Sequence, residues 1–189
     1  MGELYHGRSF LKILYLVDLA RKDGNITDIM KGTENIYVVL DNIRSVHNVG
    51  SIFRTSDCAG VKKIYLCGTT PTPLDRFGRE RKDFKKVSLG AEKSVAWQYW
   101  KSTMEAVLYL TKEGVNVVAV EQDDKSIDYR EIPIKENTAF VFGAEVEGVS
   151  KEILKMCDTV AEIPLRGKKE SLNVSVTAGI ILFASRCKK

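Results

Sequence analysis

Five short, near-continuously apolar runs recur along the chain, over residues 36–40, 63–67, 115–121, 139–142 and 159–163. Continuous hydrophobicity, rather than strict alternation, is the pattern of parallel strands covered on both faces. Longer amphipathic stretches over 49–60, 102–113, 150–157 and 172–186 predict helices between and after these strands. A further helix is predicted over 9–22, then a loop around Gly24–Asn25 and a turn of helix before Gly32. Alternating strands and helices specify an α/β fold, a parallel sheet with helices on both faces. No internal repeat or low-complexity tract interrupts the series.

The 189 residues suit one domain with a sizeable core. Charge adds a local feature: residues 76–86 (RFGRERKDFKK) hold six basic residues and two acids, the whole of the chain's net +4. Lysines and arginines clustered in this way predict contact with phosphates. The candidates are Arg76, Arg79, Arg81, Lys82, Lys85 and Lys86, with Lys168 and Lys169 in second place. Phe77 and Phe84 are either base-stacking rings or packed loop anchors.

The four cysteines (Cys58, Cys67, Cys157, Cys187) are scattered and have only His6 and His47 to help. That spacing argues against a metal site or a disulfide framework and for a reducing cytoplasm. The apolar stretch 10–20 is broken by Lys12 and Asp18 and is shorter than the roughly 20 residues a membrane span needs, so no membrane association is expected.

In parallel sheets ligands bind beyond the carboxyl ends of the strands, so the loops there hold the candidate chemistry. Neither G-x-G-x-x-G nor G-x-x-x-x-G-K-[ST] is present. Three other segments stand out. Asn48-Val-Gly50-Ser51-Ile-Phe-Arg54 follows the first strand and opens a helix, with Val49, Ile52, Phe53 and Ser56 on the packing face and Ser51, Arg54 and Asp57 opposite. Arg54, leaning toward the helix start, is placed to meet an anion there; alternatively it pairs with Asp57 on a solvated helix. Phe142-Gly143-Ala-Glu145-Val-Glu147-Gly148-Val149 runs from a strand into two glycines flanking carboxylates: a ligand-hugging turn, or a plain connection with solvated glutamates. Ser150 is its predicted following N-cap, with Glu152 in the first turn. The third, residues 163–175, runs IPLRGKKESLNVS, with Ser171 as predicted N-cap and Asn173 in the first turn of a last helix apolar on more than one side.

In their order, N-x-G-S-x-x-R, F-G-x-E-x-x-G-V and I-P-L-x-G-x-x-x-S-L-N-V-S resemble the three motifs of the SpoU (TrmH-like) RNA 2'-O-ribose methyltransferases of the SPOUT superfamily. The similarity extends through Ser88-Leu-Gly-Ala-Glu92 and over residues 35–186. It implies a catalytic domain at 35–189, preceded by an N-terminal helical segment at 1–34, and a deep trefoil knot toward the C-terminus. It also implies homodimerisation through the knotted region. The implied reaction moves a methyl group from S-adenosylmethionine to a ribose 2'-hydroxyl of tRNA or rRNA.

Carried over position by position, the resemblance makes Arg54, Asn48, Glu145, Ser171 and Asn173 the catalytic set. Phe142, Gly143, Glu145, Gly148, Ile163, Leu165, Leu172 and Asn173 become the cofactor-binding set. Arg54 is the family's proposed base, but a guanidinium stays protonated, so orienting phosphate and stabilising an alkoxide is the sounder physical role. His47 is an alternative base or a turn residue. The competing functional readings are a non-catalytic RNA-binding protein on the same fold and a small-molecule enzyme on an unknotted doubly wound sheet.

Overall fold

The computed structural model describes residues 34–187. The helix expected over 9–22, the turn before Gly32 and the terminal Lys188 and Lys189 lie outside the described residues. In chain order the elements are β1 (Asn35–Asp41), α1 (Val46–Cys58), β2 (Lys63–Cys67), α2 (Lys82–Ser88), α3 (Ala91–Ser94), β3 (Ala96–Trp100) and α4 (Thr103–Lys112). They continue with β4 (Asn116–Val120), β5 (Ile127–Asp128), a 3-10 turn (Tyr129–Glu131), β6 (Asn137–Phe142), α5 (Lys151–Met156), β7 (Thr159–Glu162) and α6 (Val174–Arg186).

The strands form one seven-stranded sheet in the order β3-β2-β1-β6-β4-β7-β5, with every neighbouring pair parallel. Alternate residues of a strand point to opposite faces, and β1 supplies both layers. Ile36, Val38 and Leu40 pack with Val49, Ile52 and Phe53 of α1 and with Ala178, Ile181 and Leu182 of α6. Val39 packs on the other face with Ala106, Val107 and Leu110 of α4 and Ile153 of α5. The continuous apolar runs therefore reflect burial on both sides.

Departures from the sequence reading have local causes. β3 (AWQYW) is unpredicted because it is an edge strand, paired only with β2 and half-exposed, so it lacks a continuous apolar run. β5 is only two residues long. α2 begins inside the basic segment: its one large buried side chain, Phe84, meets Phe53 edge-on with ring centroids 5.2 Å apart. Phe84 is thus an anchor and not a base-stacking ring. Such a ring pair contributes ~0.5–1.5 kcal/mol beyond its area.

Two helix starts also move. α1 begins at Val46, three residues before the predicted 49, because the Ser45 hydroxyl accepts from the Asn48 amide at 3.2 Å. His47 accordingly sits in the first turn of a helix. α6 is capped by Asn173, whose Oδ1 accepts from Ser175 N at 2.9 Å, and not by Ser171. Ser171 and Leu172 stay non-helical and exposed, while Val174 is the helix's first buried residue. The α5 cap is as expected: Ser150 accepts from Ile153 N, with Glu152 in the first turn.

At the far end of α6, Arg186 donates to the carbonyls of Ala59 (2.9 Å), Gly60 (2.7 Å) and Glu34 (2.8 Å). That fastens the last helix to the end of α1 and to the entry of the first strand. Among the described residues no helix is long and apolar enough to cross a membrane.

Candidate active-site cleft

β4, β6 and β7 are three adjacent strands, and the residues beyond their carboxyl ends enclose a cleft of about 460 Å³. Small-molecule sites commonly run from about 300 to 1,000 Å³. Phe142, Gly143, Glu145 and Gly148 line it from the loop after β6. Ile163, Leu165, Ser171 and Leu172 line it from the segment after β7. Seven of the eight residues expected to bind a cofactor are therefore in one wall or the other; Asn173 is the exception and stands beside the cleft.

The backbone turn from Gly143 to Val149 requires its glycines. A Cβ on Gly143 would lie 2.2 Å from the Gly148 carbonyl carbon and 2.3 Å from Val149 N, so the turn closes on itself. Gly148 has φ +65°, and its amide donates to Ala144 O at 2.9 Å. Beyond the turn, Arg44 on the loop after β1 pairs with Glu147 at 2.9 Å. Both side chains are exposed, so this pair orients the loop more than it stabilises the fold.

The three segments singled out in the sequence meet at the cleft mouth. Asn48 Nδ2, in the first turn of α1, donates to Glu145 Oε1 at 2.6 Å. Asn173 Nδ2 donates in turn to Asn48 Oδ1 at 3.2 Å. One amide thus bridges the loop after β6 and the cap of α6. Arg54 is on α1 but farther along: it is exposed, does not line the cleft, and makes no hydrogen bond or ion pair among the described residues. The alternative Arg54–Asp57 pair does not form; Asp57 accepts from the Ser94 hydroxyl at 2.6 Å instead. Because α1 starts at Val46, Arg54 lies past the first two turns and not over the helix start, contrary to expectation.

The cleft's charge is one-sided. Glu121, Glu145, Glu162 and Glu170 line it, and among the described residues no lysine or arginine does. Leu172 at its edge is 41% exposed, which suits covering by an apolar ring. Apolar walls with several carboxylates fit a ligand that joins a flat ring to positive charge. Glu121 and Gln122, at the carboxyl end of β4, are site residues the sequence reading missed; an acid directly ending an apolar run was the available signal.

The basic segment occupies a loop and α2 beside α1, where Val87 Cβ would be 3.0 Å from a Cβ on Gly50. Its cations differ in availability. Arg79 pairs with Asp75 (2.7 Å), Arg81 with Asp83 (2.8 Å) and Lys85 with Glu80 (3.2 Å). Arg76, Lys82 and Lys86 are exposed and without an ion pair among the described residues. Phe77, 66% exposed, lies under the guanidinium groups of Arg76 (4.8 Å) and Arg79 (4.9 Å). Lys168 and Lys169 are exposed in the segment after β7.

A parallel sheet with its cleft built by these three loops has known counterparts, and residues 35–183 match the SpoU rRNA Methylase family; the chain belongs to that family. Its relatives include the tRNA (guanosine(18)-2'-O)-methyltransferase of Thermus thermophilus, 34% identical over 155 residues, which cover 80% of this chain and 74% of that protein. The 23S rRNA (guanosine-2'-O-)-methyltransferase RlmB of Ralstonia nicotianae is 32% identical over 161 residues, covering 84% and 62%. Among solved structures, the AdoMet-bound rRNA methyltransferase from Sinorhizobium meliloti superposes with a TM-score of 0.73 at 30% identity, over 80% of this chain and 56% of that one. The chain thus spans little more than half the length of that solved relative.

Proposed function

We propose that this chain transfers a methyl group from S-adenosylmethionine to a ribose 2'-hydroxyl of tRNA or rRNA. The observation that carries the reading is the joining of Asn48, Glu145 and Asn173 at the mouth of an acid-lined cleft, with an exposed arginine, Arg54, on the same helix as Asn48. Bound in the cleft, S-adenosylmethionine supplies an electrophilic methyl on a cationic sulfur. Phe142, Ile163, Leu165 and Leu172 offer apolar surface for its adenine, and the Gly143–Gly148 turn offers backbone groups. The glutamates favour its positive charge.

The remaining work falls to side chains. Arg54, always cationic, holds the phosphate next to the target ribose and stabilises the alkoxide as the hydroxyl loses its proton. Asn48 and Asn173 fix Glu145 and the two loops, so the ribose is oriented before chemistry begins. Ser171, exposed in the cleft wall, is free to hydrogen-bond ligand rather than cap a helix. The basic segment supplies salt-sensitive affinity for RNA.

Three finer features belong to the same reading. The segment after β7 is threaded in the family's trefoil knot. The protein works as a homodimer: Val176 and Phe183 leave about half their surface exposed on α6, an apolar stripe suited to a second copy. It acts in the cytoplasm, where four unpaired cysteines persist.

The test is methyl incorporation into total RNA, with 2'-O-methyl sites mapped with and without the protein. New ribose methylation is expected, lost in Arg54→Ala while that variant still binds S-adenosylmethionine. RNA binding without incorporation would establish a non-catalytic RNA-binding protein instead.

A further inference from the structure

The strand between the two cofactor loops, β4, is followed directly by Glu121 and Gln122, and each side chain reaches a different loop. Glu121 Oε2 accepts from Val149 N at 2.9 Å, at the close of the turn after β6. Its Oε1 accepts from Gln122 N at 2.9 Å, which fixes the carboxylate's orientation. Gln122 Nε2 donates to Glu170 O at 2.9 Å, in the segment after β7. Glu121 N bonds to Ala161 O of β7 at 3.0 Å, so the dipeptide is anchored in the sheet. Packing is close: a Cβ on Gly148 would stand 2.3 Å from Glu121 Oε2.

We propose that Glu121 and Gln122 are a positioning pair that sets the separation of the two cleft walls and thereby the affinity for S-adenosylmethionine. The inference rests on the methyltransferase reading above and extends it to residues outside the three motifs. A carboxylate accepting a backbone amide makes a charge-assisted bond, stronger than a neutral one. Without it, Val149 N at the end of the turn has no partner and the Gly148 region is free to shift into the cleft. Gln122 performs the matching task on the opposite wall with a neutral bond, and its loss is accordingly milder. Both side chains also line the cleft, but neither acts on the target hydroxyl; their part is to hold the loops that touch the cofactor.

The experiment is calorimetric titration of the full chain with S-adenosylmethionine, together with initial-rate kinetics on RNA at varied cofactor concentration. Glu121→Ala is expected to raise Kd and cofactor KM by about tenfold or more, from the loss of one charge-assisted bond. kcat at saturating cofactor should fall by a smaller factor. Glu121→Gln keeps an acceptor oxygen for Val149 N and should recover most of the affinity. Gln122→Ala should raise Kd by about threefold, in line with one neutral bond.

A melting curve taken alongside separates global destabilisation from a cleft effect; if Glu121→Ala does not fold, Glu121→Gln and Gln122→Ala still decide. Wild-type affinity in folded Glu121→Ala, or in Gln122→Ala where the former does not fold, overturns the positioning role. So does a loss confined to kcat. A wild-type chain that binds no S-adenosylmethionine overturns the cofactor reading itself, an outcome distinct from equal affinities across the variants.

Discussion

Asn48 and Glu145, 97 residues apart in sequence, are joined by a 2.6 Å hydrogen bond from the Asn48 amide to the Glu145 carboxylate. Because Asn48 also accepts from Asn173 at 3.2 Å, its amide couples the start of α1, the turn after β6 and the cap of α6. An amide suits this place: it donates to the carboxylate and accepts from the second asparagine at once.

Removing either capability should therefore cost activity. Asn48→Ala is expected to lower kcat/KM for methyl transfer about tenfold, the effect of one bond to a charged group. Asn48→Asp should be worse than alanine, since it sets a second negative charge against Glu145. Steady-state kinetics on RNA give the ranking; an aspartate variant as active as the wild type would show that the bond does no positioning.

The glycines of the cleft offer a contrast within one measurement. Gly143→Ala places a methyl 2.2–2.5 Å from three backbone atoms of Gly148 and Val149, with no side chain free to yield. Overpacking of this kind costs ~1–3 kcal/mol, so a lower melting temperature and weaker cofactor binding are both expected. Gly167→Ala meets nothing within 4 Å and has no positive φ. It should be neutral or stabilising by ~0.4–1 kcal/mol through the unfolded chain. Equal effects at the two positions would contradict the close packing of the turn.

Much of the fold was legible because the central strands are buried on both faces and leave continuous apolar runs; β2 matches its predicted bounds, 63–67. Legibility fails where burial is one-sided or the element is short. β3 alternates Trp and Tyr with Ala and Gln at an edge, and α2 hides its single anchor, Phe84, among lysines. Spacing also placed the α6 cap two residues early, since Ser171 and Asn173 are both good caps and only the packing of Val174 separates them. Of the site, the polar residues of the three motifs were readable. Their connection through Asn48 was not, because hydrogen bonds across 97 and 125 residues depend on the arrangement of the strands. Glu121 escaped notice for the same reason.

Thiol chemistry checks the burial pattern independently. Burial pushes the Cys67 thiol up to about 12, with the Thr103 hydrogen bond opposing and the Asp41 charge adding to the rise. Burial does the same at Cys157, with Asp158 adding, again to about 12. Cys58 and Cys187 are exposed. The thiolate is the reactive form and forms as pH rises through the pKa. At pH 8 an aromatic disulfide reagent should therefore modify Cys58 and Cys187 quickly, the half-buried Cys157 slowly, and Cys67 only after denaturation. Four fast thiols in the native protein would contradict this core.

The basic segment makes the sharpest prediction about RNA, because the structure divides six cations that look alike in sequence. Arg79, Arg81 and Lys85 are held by Asp75, Asp83 and Glu80, whereas Arg76, Lys82 and Lys86 have no acidic partner among the described residues. A cation already paired with a carboxylate adds little to the field a phosphate meets, and must give up that partner to bind. Neutralising Arg76, Lys82 and Lys86 to glutamine should weaken RNA binding and flatten the slope of log K against log salt by about 2–3 units, one released counterion per lost phosphate contact. Neutralising Arg79, Arg81 and Lys85 should change the slope less, and Asp75→Asn should strengthen binding by freeing Arg79. Filter binding across a salt series reads all three. An unchanged slope in the first triple variant would place the RNA on another face, with Lys168 and Lys169 the next residues to test.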